Sequence, residues 1–217
     1  MTVETEPYLP KNPVRCVTAA SLFDGHDAAI NIIRRILQAT GVEVIHLGHN
    51  RSVAECVEAA IQEDAHAINV SCYQGGHMEF FKYTVDLLKQ HRCPHIKVFG
   101  GGGGVIVPEE IAELHDYGVT RIYSPEDGRL MGLQGIINHQ VRLLDYPQGA
   151  EHDLSLLQNL DPEHPEVVAR VITSVERAAL GQDGDINAWR QALGAHAPGH
   201  RVPVLGITGT LWPGAWA

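Results

Sequence analysis

The sequence predicts an α/β domain built on a doubly wound, five-stranded parallel sheet with helices on both faces. Between Val14 and Leu144, short apolar runs alternate five times with longer amphipathic runs, as in a repeated β-α unit. The short runs are almost continuously apolar, which is typical of strands that are buried on both faces. Because crossovers between parallel strands are right-handed, the units favour a flavodoxin-like or Rossmann-like arrangement.

Several predicted elements carry a local signal at their start or end. Gly41 ends the first helix, Ser52 is the expected N-cap of the second, and Pro108 opens the fourth at its first turn. The predicted strands are 14–20, 42–46, 67–70, 96–99 and 121–123, and the predicted helices are 28–39, 53–62, 79–90, 108–116 and 128–144.

The chain on either side of this domain, 14–147, has a different character. Residues 1–13 are polar and contain prolines, so we expect a flexible N-terminus. Residues 148–200 have few strand signals and predict a small helical C-terminal linker or appendage, with helices at 154–160, 165–180 and 185–193. Within 201–217, residues 202–208 predict a strand with no helix to cover it. We therefore expect 201–217 to be the truncated start of a further domain.

The composition excludes several classes of protein. The 217 residues are 44% hydrophobic and 19% charged, as in a globular protein, and the net charge of -10 argues against a nucleic-acid partner. Cys16, Cys56, Cys72 and Cys93 are scattered without Cys-x-x-Cys spacing, which argues against disulfides and zinc and fits a reducing compartment. Without a signal peptide or a long apolar run, the expected location is cytoplasmic.

Four loops that follow predicted strands, 21–27, 71–77, 100–104 and 124–128, are rich in glycine, histidine and acidic residues. Ligands of open parallel sheets bind beyond the carboxyl ends of the strands, where these loops meet. Five consecutive glycines, Gly100–Gly104, suggest close approach of a ligand to the backbone, although any single glycine is explained by a turn.

The common phosphate and catalytic motifs are missing from these loops. The chain has no G-x-x-x-x-G-K-[ST], no Gly-x-Ser-x-Gly and no His-Glu-x-x-His. The glycine run follows the fourth strand rather than the first, and no acidic residue stands at the tip of the next strand to take a ribose. Acidic residues in the loops could form a magnesium pocket like that of receiver domains. Receiver domains, however, have a phosphoacceptor at the end of strand three and a lysine after strand five, and this chain has Ser71 and Pro125 at those positions.

Asp24-Gly25-His26 is the sharpest local feature. A metal-ligating histidine usually donates its other ring N–H to a carboxylate, which fixes the tautomer, and Asp24 is close enough in sequence to accept it. The alternative is a surface histidine in a polar loop. Histidine alone is a weak signal because the chain has 13, and His77 suits a cap or packing role better than ligation.

Together, these loops resemble the cobalamin-binding domain of adenosylcobalamin-dependent mutases and methionine synthase. That family has D-x-H-x-x-G after strand one, S-x-L after strand three and Gly-Gly after strand four. The corresponding segments here are Asp24-Gly25-His26-Asp27-Ala28-Ala29, Ser71-Cys72-Tyr73 and Gly101-Gly102-Gly103-Gly104. Ala29 replaces the family's glycine, where its methyl group could crowd the corrin, and Tyr73 replaces leucine, giving the nucleotide pocket a larger wall.

A closer resemblance is to the N-terminal domain of fused isobutyryl-CoA mutases. This resemblance rests on the segments 19–28, 73–77 and 122–128 and on the glycine run. Ala29 and Tyr73, which differ from the wider family, resemble the residues of this subfamily. In that family a G-protein chaperone domain and a TIM-barrel substrate domain follow, so both are implied partners missing from this chain. Residues 204–210 resemble the strand before the chaperone's phosphate loop, but Gly-Lys-Ser is absent, so no nucleotide hydrolysis is carried over.

The resemblance implies that adenosylcobalamin binds base-off and His-on, with His26 as the lower ligand of cobalt and Asp24 as its hydrogen-bond partner. Ser71 would bond the buried base, and the glycine run would let the nucleotide tail pass. The implied cofactor-binding residues are Ser21, Leu22, Asp24, Gly25, His26, Asp27, Ala28, Ala29, Ile33, Ser71, Tyr73, Gly75, Gly76, Gly101, Gly102, Gly103, Gly104, Tyr123, Ser124, Pro125 and Glu126.

The implied function is that of the cofactor-carrying module of an acyl-CoA carbon-skeleton mutase, with no catalytic residue of its own. We expect the chain alone to be inactive as a mutase. Three alternatives remain open: a corrinoid methyl carrier, a cobalamin sensor or photoreceptor, and a flavodoxin-like scaffold without cobalt. No membrane and no nucleic acid are expected as partners.

Overall fold

The computed structural model describes residues 5–148, 154–182 and 184–196. The strands are β1 (Arg15–Ser21), β2 (Glu43–Arg51), β3 (Ala67–Ser71), β4 (Lys97–Gly101) and β5 (Arg121–Tyr123). The helices are α1 (Asp27–Ala39), α2 (Val53–Gln62), α3 (His77–Gln90), α4 (Pro108–Tyr117), α5 (Pro125–Leu144), α6 (Pro165–Ala179) and α7 (Ile186–His196). Short 3-10 helices occupy Gly103–Val105 and Leu154–Asn159.

The five strands form one parallel sheet in the order β2-β1-β3-β4-β5, which confirms the predicted flavodoxin-like fold. β2 lies at one edge of the sheet beside β1, and β3, β4 and β5 follow in order on the other side of β1. Strand order therefore reverses between β1 and β3. In sheets of this kind, ligands bind in the crevice beyond the strand ends at such a reversal.

Each face of the sheet has its own apolar core. Ile68 and Val70 of β3 pack with α2, α3 and α4, whereas Ala67 belongs to the smaller core under α1 and α5. This alternation follows from the period of two along a strand. Asn69 and Ser71 share the parity of Ala67, so they face α1 and α5.

Most element boundaries agree with the prediction within three residues, and the capping signals are confirmed. Ser52 accepts from the backbone N–H of Glu55 in a capping box, and Pro108 is the first residue of α4. The exception is β2, which continues to Arg51 and not only to the predicted residue 46. In its second half the pairing with β1 is irregular, with two register shifts. α5 begins at Pro125 and is kinked at Gly132, which has φ 66° and ψ 171°.

The described part of the N-terminal segment lies against α5 without forming a helix or strand. Tyr8 donates its backbone N–H to Asn138 and its hydroxyl to Asp145, and the backbone N–H groups of Lys11 and Asn12 also donate to Asp145. These donors hold the pKa of Asp145 well below its usual range, against the effect of burial. Residues 5–13 are therefore attached to the domain at several points, which the polar sequence did not reveal.

α6 and α7 enclose a third, smaller apolar cluster around Trp189 and Leu157, and α6 also contacts α2. The helices expected in this region are present, but the division of the chain into domains stays a prediction. The strand expected at 202–208 and the whole segment 201–217 lie outside the described residues. Among the helices that the structure describes, none is long and apolar enough to cross a membrane.

Candidate functional site

The loop between β1 and α1 places an exposed histidine over a buried carboxylate. The His26 side chain is 68% exposed, whereas that of Asp24 is 0% exposed. Asp24 Oδ1 accepts from the backbone N–H of His26 at 2.9 Å and from Nδ1 of the same ring at 2.8 Å. Asp24 Oδ2 accepts from the backbone N–H of Tyr73 at 2.5 Å. The carboxylate therefore joins the loop after β1 to the loop after β3.

The environment of Asp24 fixes the tautomer of His26. Burial opposes ionisation of Asp24, but the hydrogen bonds from Tyr73 and His26 outweigh it, and the pKa of Asp24 is lowered. An ionised carboxylate only accepts hydrogen bonds, so Nδ1 of His26 carries the proton. In the neutral ring Nε2 then has its lone pair free, and no residue in the described parts of the chain hydrogen-bonds to it. Metal-ligating histidines commonly have this arrangement, in which the other ring nitrogen donates to a carboxylate.

Tyr73 fills the space between His26 and the glycine run. Its ring centroid lies 5.3 Å from that of His26. A Cβ atom at Gly103 would approach Tyr73 Cε1 to 2.9 Å, and φ at Gly103 is +56°. Both the limited space and the left-handed backbone conformation therefore favour glycine at this position. Tyr73 is thus an aromatic wall beside the histidine.

Two of the other glycines are required by the protein's own packing. A Cβ at Gly102 would lie 2.0 Å from the carbonyl oxygen of Cys72, and one at Gly100 would lie 2.2 Å from the Phe81 ring. A Cβ at Gly104 would meet nothing within 4 Å. The protein's own packing is therefore sufficient to explain Gly100 and Gly102. Contact of the glycine run with a ligand stays a prediction.

A cavity of about 340 Å³ opens between the sheet and the helices α1 and α5, beyond the ends of β3, β4 and β5. This volume lies within the range of small-molecule sites. Its walls are mainly aliphatic and aromatic, and no charged side chain is among its lining residues. They are Ala29, Ile30, Ile32, Ile33, Asn69, Val70, Ser71, Tyr73, Phe99, Gly100, Gly101, Gly102, Gly103, Tyr123, Ser124, Pro125, Gly128, Leu133, Ile136, Ile137 and Gln140.

Two buried polar residues, Ser71 and Asn69, are among the lining residues of the cavity. Ser71 is 6% exposed and Asn69 is 4% exposed. Ser71 Oγ has no hydrogen-bond partner in the described structure, and the polar neighbour of Asn69 Nδ2 is the thiol of Cys16. A buried donor without a partner costs about 1–3 kcal/mol, and a ligand that accepted from Ser71 Oγ would remove that cost.

Ten of the residues implied by the resemblance line this cavity: Ala29, Ile33, Ser71, Tyr73, Gly101, Gly102, Gly103, Tyr123, Ser124 and Pro125. The others are not among its lining residues: Ser21, Leu22, Asp24, Gly25, His26, Asp27, Ala28, Gly75, Gly76, Gly104 and Glu126. Asp24 and His26 are joined to the lining through Tyr73. Glu126 pairs with Arg129 on α5 at 2.6 Å, and Ser124 caps α5 by accepting from the backbone N–H of Asp127.

Sequence reasoning missed the inner part of the cavity. Asn69 and Phe99 enter it from the sheet, and α5 contributes Leu133, Ile136, Ile137 and Gln140. The spacing of these four residues, i, i+3, i+4 and i+7, is that of one helix face and could have been read from the sequence. That the face covers a cavity rather than solid core could not.

Two comparisons of the sequence identify its family. The family model described as "B12 binding domain" matches residues 14–131. Fused isobutyryl-CoA mutase from Geobacillus kaustophilus is 57% identical over 205 residues, which are 94% of this chain and 19% of that protein. This chain therefore spans about a fifth of the length of that relative.

A shorter relative has nearly the length of the domain alone. The 2-hydroxyisobutanoyl-CoA mutase small subunit from Aquincola tertiaricarbonis is 31% identical over 114 residues, which are 52% of this chain and 82% of that subunit. Among solved structures, a cobalamin-binding protein from Desulfitobacterium hafniense superimposes with a TM-score of 0.50 at 23% identity, covering 59% of this chain and 58% of that one. That likeness concerns the fold. With the family model matching more than half of the chain, the protein belongs to the B12-binding domain family.

Proposed function

We propose that this domain binds cobalamin base-off and His-on, with His26 Nε2 as the lower axial ligand of cobalt. The observation that carries the proposal is the pairing of Asp24 with Nδ1 of His26, which leaves Nε2 free on a ring that is next to Tyr73 of the cavity lining. A single protein ligand suits a metal whose other ligands come from its own macrocycle. In the described residues no group of three or more His, Cys, Asp or Glu could hold a bare metal ion.

The cavity fits the nucleotide tail that base-off binding releases from cobalt. Its volume of about 340 Å³ and its apolar walls suit a flat aromatic base, and Ser71 Oγ is a buried hydroxyl without a partner. Gly101 and Gly103 line the cavity on the β4 side, where the tail would pass against backbone. Ile33 of α1 would contact the base, while Gly25 and Glu126 would lie nearer the corrin rim.

The proposed biological form is adenosylcobalamin, carried for an acyl-CoA carbon-skeleton mutase of the isobutyryl-CoA type. When bound, adenosylcobalamin would supply the radical chemistry, and this chain's residues would hold and orient it. No charged side chain lines the described cavity, so nothing there would bind the phosphates of an acyl-CoA. A substrate domain and a G-protein chaperone, which the resemblance to fused isobutyryl-CoA mutases implies, are also part of the proposal, as is a cytoplasmic location.

Electron paramagnetic resonance of the cob(II)alamin complex tests the ligand assignment directly. Bound histidine and bound benzimidazole both present one nitrogen, so the chain should be labelled with ¹⁵N-histidine, which changes the nitrogen splitting only if histidine ligates. We expect the ¹⁵N pattern in the wild type and its loss in His26→Ala. His49→Ala, at an exposed histidine on β2, is the matched control. An unlabelled splitting pattern in the labelled wild type would refute His-on binding.

A further inference from the structure

The imidazole of His77 joins the loop after β3 to the start of α4. His77 is the first residue of α3 and is 4% exposed. Its Nδ1 lies 2.9 Å from the carbonyl oxygen of Gln74, and its Nε2 lies 2.9 Å from Glu110 Oε2. The same Glu110 oxygen accepts from the backbone N–H of Val107 in the capping box of α4. The ring is therefore a bridge between two loops at the carboxyl ends of neighbouring strands.

Both groups that face the ring of His77 are hydrogen-bond acceptors. A carbonyl oxygen only accepts, and so does the carboxylate of Glu110, whose pKa is lowered first by the bond from the Val107 N–H and then by that from His77. The two contacts are satisfied together only by a ring that carries a proton on each nitrogen. The contact with Glu110 is then an ion pair, and hydrogen bonds between charged groups are stronger than neutral ones.

The loop that His77 holds has little support of its own. A Cβ atom at Gly75 or at Gly76 would meet nothing within 4 Å, so neighbouring groups do not confine these two residues. Glycine adopts more backbone conformations than other residues. Gly76 is the N-cap of α3, and it has no side chain with which to fix the start of the helix. The contacts of the His77 side chain therefore limit the freedom of this loop.

One residue before Gln74, the same loop supports the pair of Asp24 and His26. The backbone N–H of Tyr73 donates to Asp24 Oδ2, and Asp24 Oδ1 accepts from Nδ1 of His26. If Tyr73 and Gln74 move, the carboxylate loses one of its donors and can turn away from the imidazole. The position of the loop thus influences which nitrogen of His26 carries the proton.

We propose that His77 and Glu110 are positioning residues for the axial histidine. Together they fix the loop after β3, and through Tyr73 and Asp24 that loop holds the ring of His26 with its proton on Nδ1. Neither His77 nor Glu110 is among the lining residues of the cavity. The inference rests on the proposed ligation of cobalt by His26, but it also has a consequence in the protein without cofactor.

The first measurement uses the 217-residue chain without cofactor, labelled with ¹⁵N-histidine, at about pH 7.5, where an ordinary imidazole is mostly neutral. Two-dimensional NMR spectra that correlate ring protons with ring nitrogens report each tautomer, and His26→Ala assigns the signals of His26. We expect the wild type to hold His26 in the Nδ1–H form. His77→Ala and Glu110→Ala should each give a mixture of tautomers. Glu110→Gln, whose amide still bonds the ring of His77, should resemble the wild type.

The second measurement is the dissociation constant of hydroxocobalamin, followed by absorption. His77→Ala and Glu110→Ala should each weaken binding by about three- to tenfold, less than a change at Asp24, because both act through other residues. The double variant should bind no more weakly than the weaker single variant, since both changes break the same bridge. His91→Ala at the exposed end of α3 and Glu109→Ala at an exposed position on α4 are the matched controls and should bind like the wild type.

A purely structural role would lower the free energy of unfolding without changing the tautomer of His26 in the folded protein, and that result would overturn the inference. Additive losses of affinity in the double variant would overturn it as well, because the two residues would then act separately. If His77→Ala does not fold, Glu110→Ala carries the test, since the Glu110 side chain is 33% exposed.

Failure of the proposed function gives a different result. The tautomer of His26 then changes as expected in the variants without cofactor, but the wild type does not bind hydroxocobalamin, or its cob(II)alamin complex shows no histidine nitrogen on cobalt.

Discussion

Asp24 and His26 are joined twice, because one carboxylate oxygen of Asp24 accepts both the backbone N–H and the ring Nδ1–H of His26. The second oxygen accepts from the backbone N–H of Tyr73, so the same carboxylate sets the position of the loop, the orientation of the imidazole and its tautomer. Since all three donors favour the ionised form, the pKa of Asp24 is lowered even though burial opposes it.

Replacing Asp24 by asparagine should weaken cobalamin binding by roughly 10–100-fold, the usual effect of removing a carboxylate partner from a ligating histidine. The amide keeps the shape but lowers the basicity of the imidazole and presents an N–H to one of its three donors. Binding is followed by absorption titration. Glu109→Gln, which makes the same change of charge at an exposed position on α4, should bind like the wild type. Equal affinities of the two variants would show that Asp24 serves only the conformation of the loop.

Within the glycine run, the effect of an added methyl group should differ sharply between neighbouring positions. Gly102→Ala would bring Cβ to 2.0 Å from the Cys72 carbonyl oxygen, so the strand ends must move apart. We expect the free energy of unfolding to fall by about 2 kcal/mol or more, as in overpacked cores. Gly104→Ala meets nothing within 4 Å and should change stability by less than about 0.5 kcal/mol. Urea denaturation of the two variants measures the difference, and equal midpoints would contradict the packing argument.

His66 should make the fold less stable in mild acid. Burial of the side chain lowers the pKa of His66 from 6.5 and outweighs the hydrogen bond from Nε2 to the carbonyl of Tyr146, which raises it. Nδ1 accepts from the backbone N–H of Arg15, a bond that protonation of Nδ1 would break. Below about pH 6.5 the unfolded chain therefore binds more protons than the folded one, and stability falls as pH falls. Chemical denaturation from pH 8 to pH 5 measures the slope. His66→Gln should flatten it, and an unchanged slope would exclude His66 as the cause.

The 217-residue chain alone should bind cobalamin without converting isobutyryl-CoA to butyryl-CoA. The reason is that no charged side chain lines the described cavity, so nothing there would bind the phosphates of an acyl-CoA. The purified chain is incubated with adenosylcobalamin and isobutyryl-CoA, and products are separated by chromatography. A control without protein sets the background, and turnover above it would mean that the chain carries a complete active site.

The fold and the entrance of the site could be predicted because their signals are local. Apolar runs such as 67–70 have the length and composition of buried strands. Ser52 caps a helix within its first turn, Pro108 suits the first position of one, and Asp24 and His26 are two residues apart. The resemblance then predicted cobalamin as the ligand of these loops, and the match to the B12-binding family confirms cobalamin binding in general terms. The individual contacts of the cofactor with these residues stay a prediction.

What only the tertiary structure decided is the interior of the cavity and the reason for several glycines. Asn69 and Gln140 are 71 positions apart and meet only because α5 packs across β3. Gly102 faces a carbonyl oxygen because β3 and β4 pair in one register and no other. Sequence periodicity shows which face a residue takes on its own strand or helix. It does not contain the relative position of two elements, which depends on how their side chains pack together.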